Sequence, residues 1–202
     1  MPAIAITGGI STGKSTFTDS LRKLLPEARF FDADAAAREL AADDPEVRQL
    51  IAAEFGADLY SSTGDLNRSH LRSIVFADAE KKRALEQILH PRIRRQWELD
   101  AEARRQSTEL FFADIPLLYE TGAEILCDAV AVVACSPETQ LERLMRRGEF
   151  DRATAEQMIA SQMPLTEKIE RADHVVWNNG ERAALEAQAI MLARRWGRMS
   201  GR

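Results

Sequence analysis

Apolar positions in this chain gather into short unbroken runs rather than alternating with polar ones. Four stand out: Ala3–Ile6 (AIAI), Arg29–Asp32 (RFFD), Glu109–Ile115 (ELFFADI) and Ala129–Cys135 (AVAVVAC). His174–Asn178 (HVVWN) is a fifth. Runs of this length and character suit parallel strands covered on both faces. The segments between them read as helices. Thr16–Leu25 is one, limited by Pro26, and Arg182–Trp196 is an amphipathic one near the end of the chain. Pro137–Arg147 is another, with Ser136 as N-cap and proline at its first helical position. Strands alternating with helices predict an α/β fold: a three-layer α/β/α sandwich around a central parallel five-stranded sheet.

Residues 44–107 interrupt that alternation. They are rich in helix formers and contain no convincing buried strand. Leu66–Phe76 (LNRSHLRSIVF) reads as a helix capped by Asn67. Lys81–Arg105 reads as one long helix, or as two bent at Pro91. Phe76, Leu89 and Trp97 are expected in its core. The expected organisation is a core of residues 1–43 and 108–202 with a helical insertion at 44–107.

The first strand runs into GGISTGKS, Gly8 to Ser15. Gly8-x-x-x-x-Gly13-Lys14-Ser15 matches the phosphate-binding loop at every fixed position. Glycines permit backbone angles closed to other residues, so successive N–H groups can turn onto phosphate oxygens. The helix that follows points its positive end at the same place. Lys14 supplies a mobile charge, and the Ser15 hydroxyl is a ligand for Mg²⁺. The nucleotide contacts expected of the loop run over Ser11, Thr12, Gly13, Lys14, Ser15 and Thr16, with ATP and Mg²⁺ as the cofactors. The guanine-reading NKxD and the DxxG of GTPases are absent from the sequence.

A small phosphotransferase also needs a carboxylate base and cations for the transferring group. Asp32 and Asp34 in FFDADAAARE follow the second strand, at the sheet edge where parallel α/β proteins bind ligands. Two apart on a strand, they would share a face, one handling the metal and the other the acceptor proton. One of them also reads as the N-cap of a helix over Ala35–Ala42. Arg143, Arg146 and Arg147 end a helix before Gly148, which suits either an arginine flap over phosphates or plain compensation of the helix dipole. Asp114, closing the third strand, is a weak candidate for Mg²⁺, and Glu120 for loop or acceptor contacts.

Charge and composition narrow the field. Net charge is −5, from 27 basic and 32 acidic side chains, which disfavours nucleic acid as a partner. Cys127 and Cys135 lack CxxC spacing and read as reduced thiols. No apolar run approaches a membrane span and no signal peptide is evident, so a cytoplasmic protein without a membrane partner is expected, as a monomer or small homo-oligomer.

These motifs, taken together, resemble the dephospho-coenzyme A kinase family. The resemblance covers nearly the whole chain: TGGISTGKST, DADAAARE, LNRSHLRSIVF, LEQILHPRI, IPLLYE, QLERLMRR, SQMPLTEKIERAD and WNNG. It implies transfer of the ATP γ-phosphoryl group to the ribose 3′-hydroxyl of dephospho-coenzyme A. It also implies Asp34 as base, Asp32 beside Ser15 toward the metal, and Arg143 and Arg147 in a lid over about 143–163. The insertion becomes the acceptor-binding domain, and the resemblance moves Arg68 and His90 toward the substrate; Asn67 and Arg72 are further candidates for it. Ser11 stands where the family usually has glycine, Gly148 where it commonly has Asp, and Met158 where Arg is common. The residues alone leave open another metabolite or nucleoside monophosphate kinase, a regulatory ATP switch, or a protein-docking module.

Overall fold

The computed structural model describes residues 3–103, 109–148 and 150–199. The chain divides into two compact units, one of Met1–Phe31 with Asp100–Arg202 and one of Asp32–Leu99.

The first unit is built on a parallel sheet. Its strands are β1 (Ala3–Gly8), β2 (Arg29–Asp32), β3 (Phe111–Asp114), β4 (Ala129–Ala134) and β5 (His174–Trp177), in the order β2-β3-β1-β4-β5. β1 lies between β3 and β4, with Ile6 opposite both Asp114 and Ala131. Chain direction across the sheet reverses beside β1, and such a switch point opens a crevice at the carboxyl ends of the strands. The expected α/β class and five-stranded parallel sheet are therefore observed.

Helices α1 (Lys14–Leu24) and α9 (Arg182–Met199) share one core with the sheet. Ile4 and Ile6 of β1, Phe112 and Val133 meet Phe17, Leu21, Leu185 and Trp196 there. Phe112 is fully buried, stacks on Phe30 at 4.9 Å and meets Trp196 edge-on at 5.5 Å. α6 (Pro137–Gly148), α7 (Arg152–Ala160) and α8 (Leu165–Glu170) fill the span between β4 and β5. Ser136 caps α6 by accepting the Thr139 N–H at 3.2 Å. α1 begins two residues before the expected Thr16, because Gly13 adopts a left-handed conformation with φ 95° and turns the chain into the helix early.

The second unit is helical. It comprises α2 (Ala33–Asp43), α3 (Pro45–Phe55), α4 (Arg68–Ala77) and most of α5 (Ala79–Ala103). Asp44 caps α3 by accepting from Val47 N–H at 2.9 Å, and Asn67 caps α4 through His70 N–H at 3.1 Å. Leu40, Val47, Ile51, Leu59 and Leu71 form its core, against which Leu89 packs. α5 continues through Pro91 as a single helix. Proline there removes an N–H, and the Arg92 guanidinium donates to the nearby Ile88 carbonyl at 3.0 Å. The expected end of this helix at Arg105 lies outside the described residues, as do residues 104–108 generally. Trp97 is buried, but Phe76 is 57% exposed and is not a core residue. It lies on the opposite side of α4 from the inward-facing Leu71.

Phe112 joins the sheet to α9, so Phe112→Ala is expected to cost about 3–5 kcal/mol of unfolding free energy. Urea unfolding followed by far-UV circular dichroism measures it.

Candidate active site

The loop after β1 is shaped by two left-handed residues, Ser11 at φ 58° and Gly13 at φ 95°. Thr12 closes it internally: its N–H and its hydroxyl both donate to the Gly9 carbonyl, at 3.3 and 2.9 Å. A side chain at Gly13 would collide with Asn178, so glycine is needed for space as well as for φ. Among the described residues, no side chain caps the start of α1. Its first N–H groups are thus left to an external acceptor, which is the chemistry of an anion site.

Lys14 opens α1, and its ammonium is paired with the Asp114 carboxylate. Thr18, one turn on, donates to the other Asp114 oxygen at 3.1 Å. Asp114 is only 6% exposed, so this carboxylate is held by a cation and a hydroxyl inside the protein. The sequence offered Asp114 only as a weak metal ligand. In the structure it orients the loop lysine.

The outer side of the loop is held by Arg143 and Glu120, which the sequence offered, and by four residues that sequence reasoning did not single out: Gln140, Gln162, Lys168 and Asn178. Gln162 accepts from the Ile10 N–H at 2.9 Å, and Gln140 donates to the Ile10 carbonyl at 2.9 Å. Asn178 donates to the Thr12 carbonyl at 2.8 Å, joined by Arg143 at 3.5 Å. Lys168, fully buried, donates to the carbonyls of Pro116 at 3.0 Å and Gly8 at 3.5 Å and pairs with Glu120 at 2.7 Å. Glu120 also accepts from the Met163 N–H at 3.0 Å. The available signal was in QLERLMRR, SQMPLTEK and WNNG, which contain Gln140, Gln162, Lys168 and Asn178.

Of the two arginines expected in a lid, Arg143 is half-buried beside the loop and Arg147 is exposed on the last turn of α6. Residue 149, inside that expected lid, lies outside the described residues. Ser15 and Thr16 follow Lys14 in the first turn of α1, Ser15 exposed and Thr16 half-buried.

In the helical unit, Asp32 and Asp34 do not share a strand face. β2 ends at Asp32, which caps α2 by accepting from the Ala35 N–H at 2.8 Å. Asp34 is already in the first turn of α2 and is exposed. The helix begins two residues before Ala35 because Asp32 caps it, so helical geometry replaces the period-two rule. Arg68 donates to the Arg38 carbonyl at 3.1 Å, and Arg72 is exposed. Asn67 spends one oxygen on its cap. Burial lowers the pKa of His90, against a smaller opposing pull from Glu86, which favours the neutral imidazole.

Among the described residues, no group of three or more His, Cys, Asp or Glu side chains could hold a metal by itself. Mg²⁺ at nucleotide sites is held by one or two protein oxygens together with substrate phosphates. The exposed Ser15 hydroxyl at an uncapped helix start is a hard oxygen donor of that kind. No described helix is long and apolar enough to cross a membrane.

A family model described as dephospho-CoA kinase matches residues 2–184. The chain belongs to the dephospho-CoA kinase family. Among family members, a dephospho-CoA kinase of Anaeromyxobacter dehalogenans is 46% identical over 95% of this chain and 90% of that protein. One from Bacillus cereus is 38% identical over 96% of both. A solved dephospho-CoA kinase from Campylobacter jejuni has a TM-score of 0.74 at 26% identity, covering 97% of each chain. A Thermus thermophilus protein has a TM-score of 0.72 at 34% identity, covering 96% of this chain and 97% of that one. The resemblance seen in the motifs is thereby established, and with it the assignment to kinases with a P-loop fold.

Ser11, where the motif resemblance places glycine, holds φ 58° with a buried hydroxyl that has no hydrogen-bond partner among the described residues. Ser11→Gly relieves both at the cost of a freer unfolded chain, so a net gain of roughly 0.5–1 kcal/mol is expected by thermal or urea unfolding.

Proposed function

We propose that this chain transfers the γ-phosphoryl group of ATP to the ribose 3′-hydroxyl of dephospho-coenzyme A, giving ADP and coenzyme A. The single observation that carries the reading is family membership over residues 2–184, joined to an uncapped glycine loop that matches it. In the transfer, the bond between the γ-phosphorus and its bridging oxygen breaks. A bond from that phosphorus to the ribose oxygen forms, and the hydroxyl proton leaves to a carboxylate.

The loop N–H groups and the start of α1 hold the phosphates. Lys14, paired with Asp114 in the structure, shifts its ammonium to the β and γ phosphates when nucleotide arrives. Arg143, beside the Thr12 carbonyl, adds positive charge at the loop, with Arg147 on the next turn of the same helix. Ser15 would hold Mg²⁺ together with the phosphates, and Asp32 is assigned to the metal on the motif resemblance alone; the ion would supply neutralisation of phosphate charge. Asp34 is assigned as the base on the strength of the DAD pattern. Asp34 is exposed in the first turn of α2. Asn67, Arg68, Arg72 and His90 are assigned to the acceptor.

The test is a coupled ADP-release assay with Mg²⁺–ATP and dephospho-coenzyme A, with adenosine monophosphate and pantetheine as control acceptors. ADP release only with dephospho-coenzyme A, and a product with the mass of coenzyme A, is expected. Equal ADP release with every acceptor contradicts it. Asp34→Asn is expected to lower kcat by about 100-fold or more while ATP affinity stays near the parent value. Undiminished turnover removes Asp34 from the role of base.

A further inference from the structure

Three motifs of the C-terminal half find a common purpose at the loop. Follow its peptide planes in turn. In the Gly8–Gly9 plane the carbonyl is taken by the Lys168 ammonium at 3.5 Å. In the Ile10–Ser11 plane it is taken by the Gln140 amide at 2.9 Å. In the Thr12–Gly13 plane it is taken by the Asn178 amide at 2.8 Å. The intervening Gly9–Ile10 plane is reversed: its N–H goes outward to Gln162 at 2.9 Å, and its carbonyl turns back to Thr12.

A trans peptide is planar, with its N–H opposite its carbonyl. A donor that holds a carbonyl outward therefore aims the N–H of the next residue inward. Of the N–H groups so aimed, that of Gly9 lies against the Val133 carbonyl in the ladder of β1 and β4, whereas among the described residues those of Ser11 and Gly13 have no hydrogen-bond acceptor in the protein. The holders are inside the protein: Lys168 is 0%, Gln140 4% and Asn178 8% exposed. They come from α8, α6 and the end of β5, so three separated segments of the chain converge on alternate peptides of one loop.

We propose that Gln140, Asn178 and Lys168 are positioning residues for nucleotide binding: Gln140 and Asn178 each fix one outward carbonyl so that the N–H groups of Ser11 and Gly13 point at phosphate, and Lys168 fixes the entry of the loop at the Gly8 carbonyl. This rests on reading the loop as the ATP phosphate site. None of the three touches the reacting atoms; they act through the peptide plane. Lys168 is doubly engaged, since it also holds the Pro116 carbonyl and Glu120 and so ties the loop after β3 to the loop after β1. Without a holder, the peptide rotates, and the loop must be reordered each time a phosphate binds.

The variants Gln140→Leu, Asn178→Ala and Lys168→Met test this by calorimetric titration with Mg²⁺–ATP. Thermal melts run alongside, together with the KM for dephospho-coenzyme A. The expected result is a Kd for Mg²⁺–ATP raised roughly 10-fold or more, at unchanged binding stoichiometry and with the acceptor KM unmoved. A merely structural role moves the melt and the stoichiometry and leaves the Kd of the folded fraction alone. Lys168→Met strips the partner from Glu120 and is the variant most prone to unfold; Gln140→Leu and Asn178→Ala remove neutral amides and carry the test without it. Folded variants that bind Mg²⁺–ATP with the parent Kd overturn the proposal. A parent protein that binds no Mg²⁺–ATP at all overturns the phosphate-loop reading itself, and the proposal with it.

Discussion

A peptide plane cannot aim one of its ends without aiming the other, and the chemistry of this chain depends on that constraint in six residues. Between Gly8 and Gly13 the backbone has no repeating hydrogen-bond partner of its own. Its one internal closure is Thr12 onto the Gly9 carbonyl. Left to itself, such a loop samples many arrangements, and each fixed residue costs about 1–2 kcal/mol of conformational entropy. Side chains from α6, β5 and α8 supply the missing partners, so the cost is met on folding rather than on binding. β1 brings the loop to the switch point of the sheet, and α1 carries the chain away with its first N–H groups uncapped.

Charge is handled with the same economy. Two ionised groups are taken out of water near the loop, and each is paired. Asp114 has Lys14 and Thr18, and Lys168 has Glu120 and two carbonyls. A buried pair of this kind adds little net stability, but removing one partner is costly, about 3–5 kcal/mol. The difference between the pairs is mobility. Lys168 is enclosed on all sides, whereas the Lys14 side chain keeps 16% exposure. One cation is built into the wall, and the other is at the mouth of the loop, where an anion can compete for it.

Much of this was legible in the sequence, for identifiable reasons. The strands were readable because buried parallel strands are apolar throughout. The loop was readable because Gly8, Gly13, Lys14 and Ser15 each answer a separate physical demand at fixed spacing. Asn67 and Ser136 were readable as caps because their side chains satisfy local N–H groups. What escaped was non-local. Gln140, Asn178 and Lys168 meet the loop across 130 to 166 positions of chain, and the motifs that contain them do not by themselves point to the loop as their target. Asp32 and Asp34 were misplaced for the opposite reason. A local cap started α2 early and overrode the strand periodicity that seemed to pair them. Phe76, assigned to the core by its hydrophobicity, faces solvent because α4 turns only Leu71 fully inward.

The measurement that bears most directly on the account is amide hydrogen exchange, resolved residue by residue by NMR, with and without Mg²⁺–ATP. The amides of Ile10 and Thr12 have protein acceptors and should exchange slowly in both states. Those of Ser11 and Gly13 should exchange quickly in the free protein and become protected when nucleotide binds. If these two are already protected without nucleotide, or stay unprotected with it, the loop does not present its N–H groups to phosphate and the account fails.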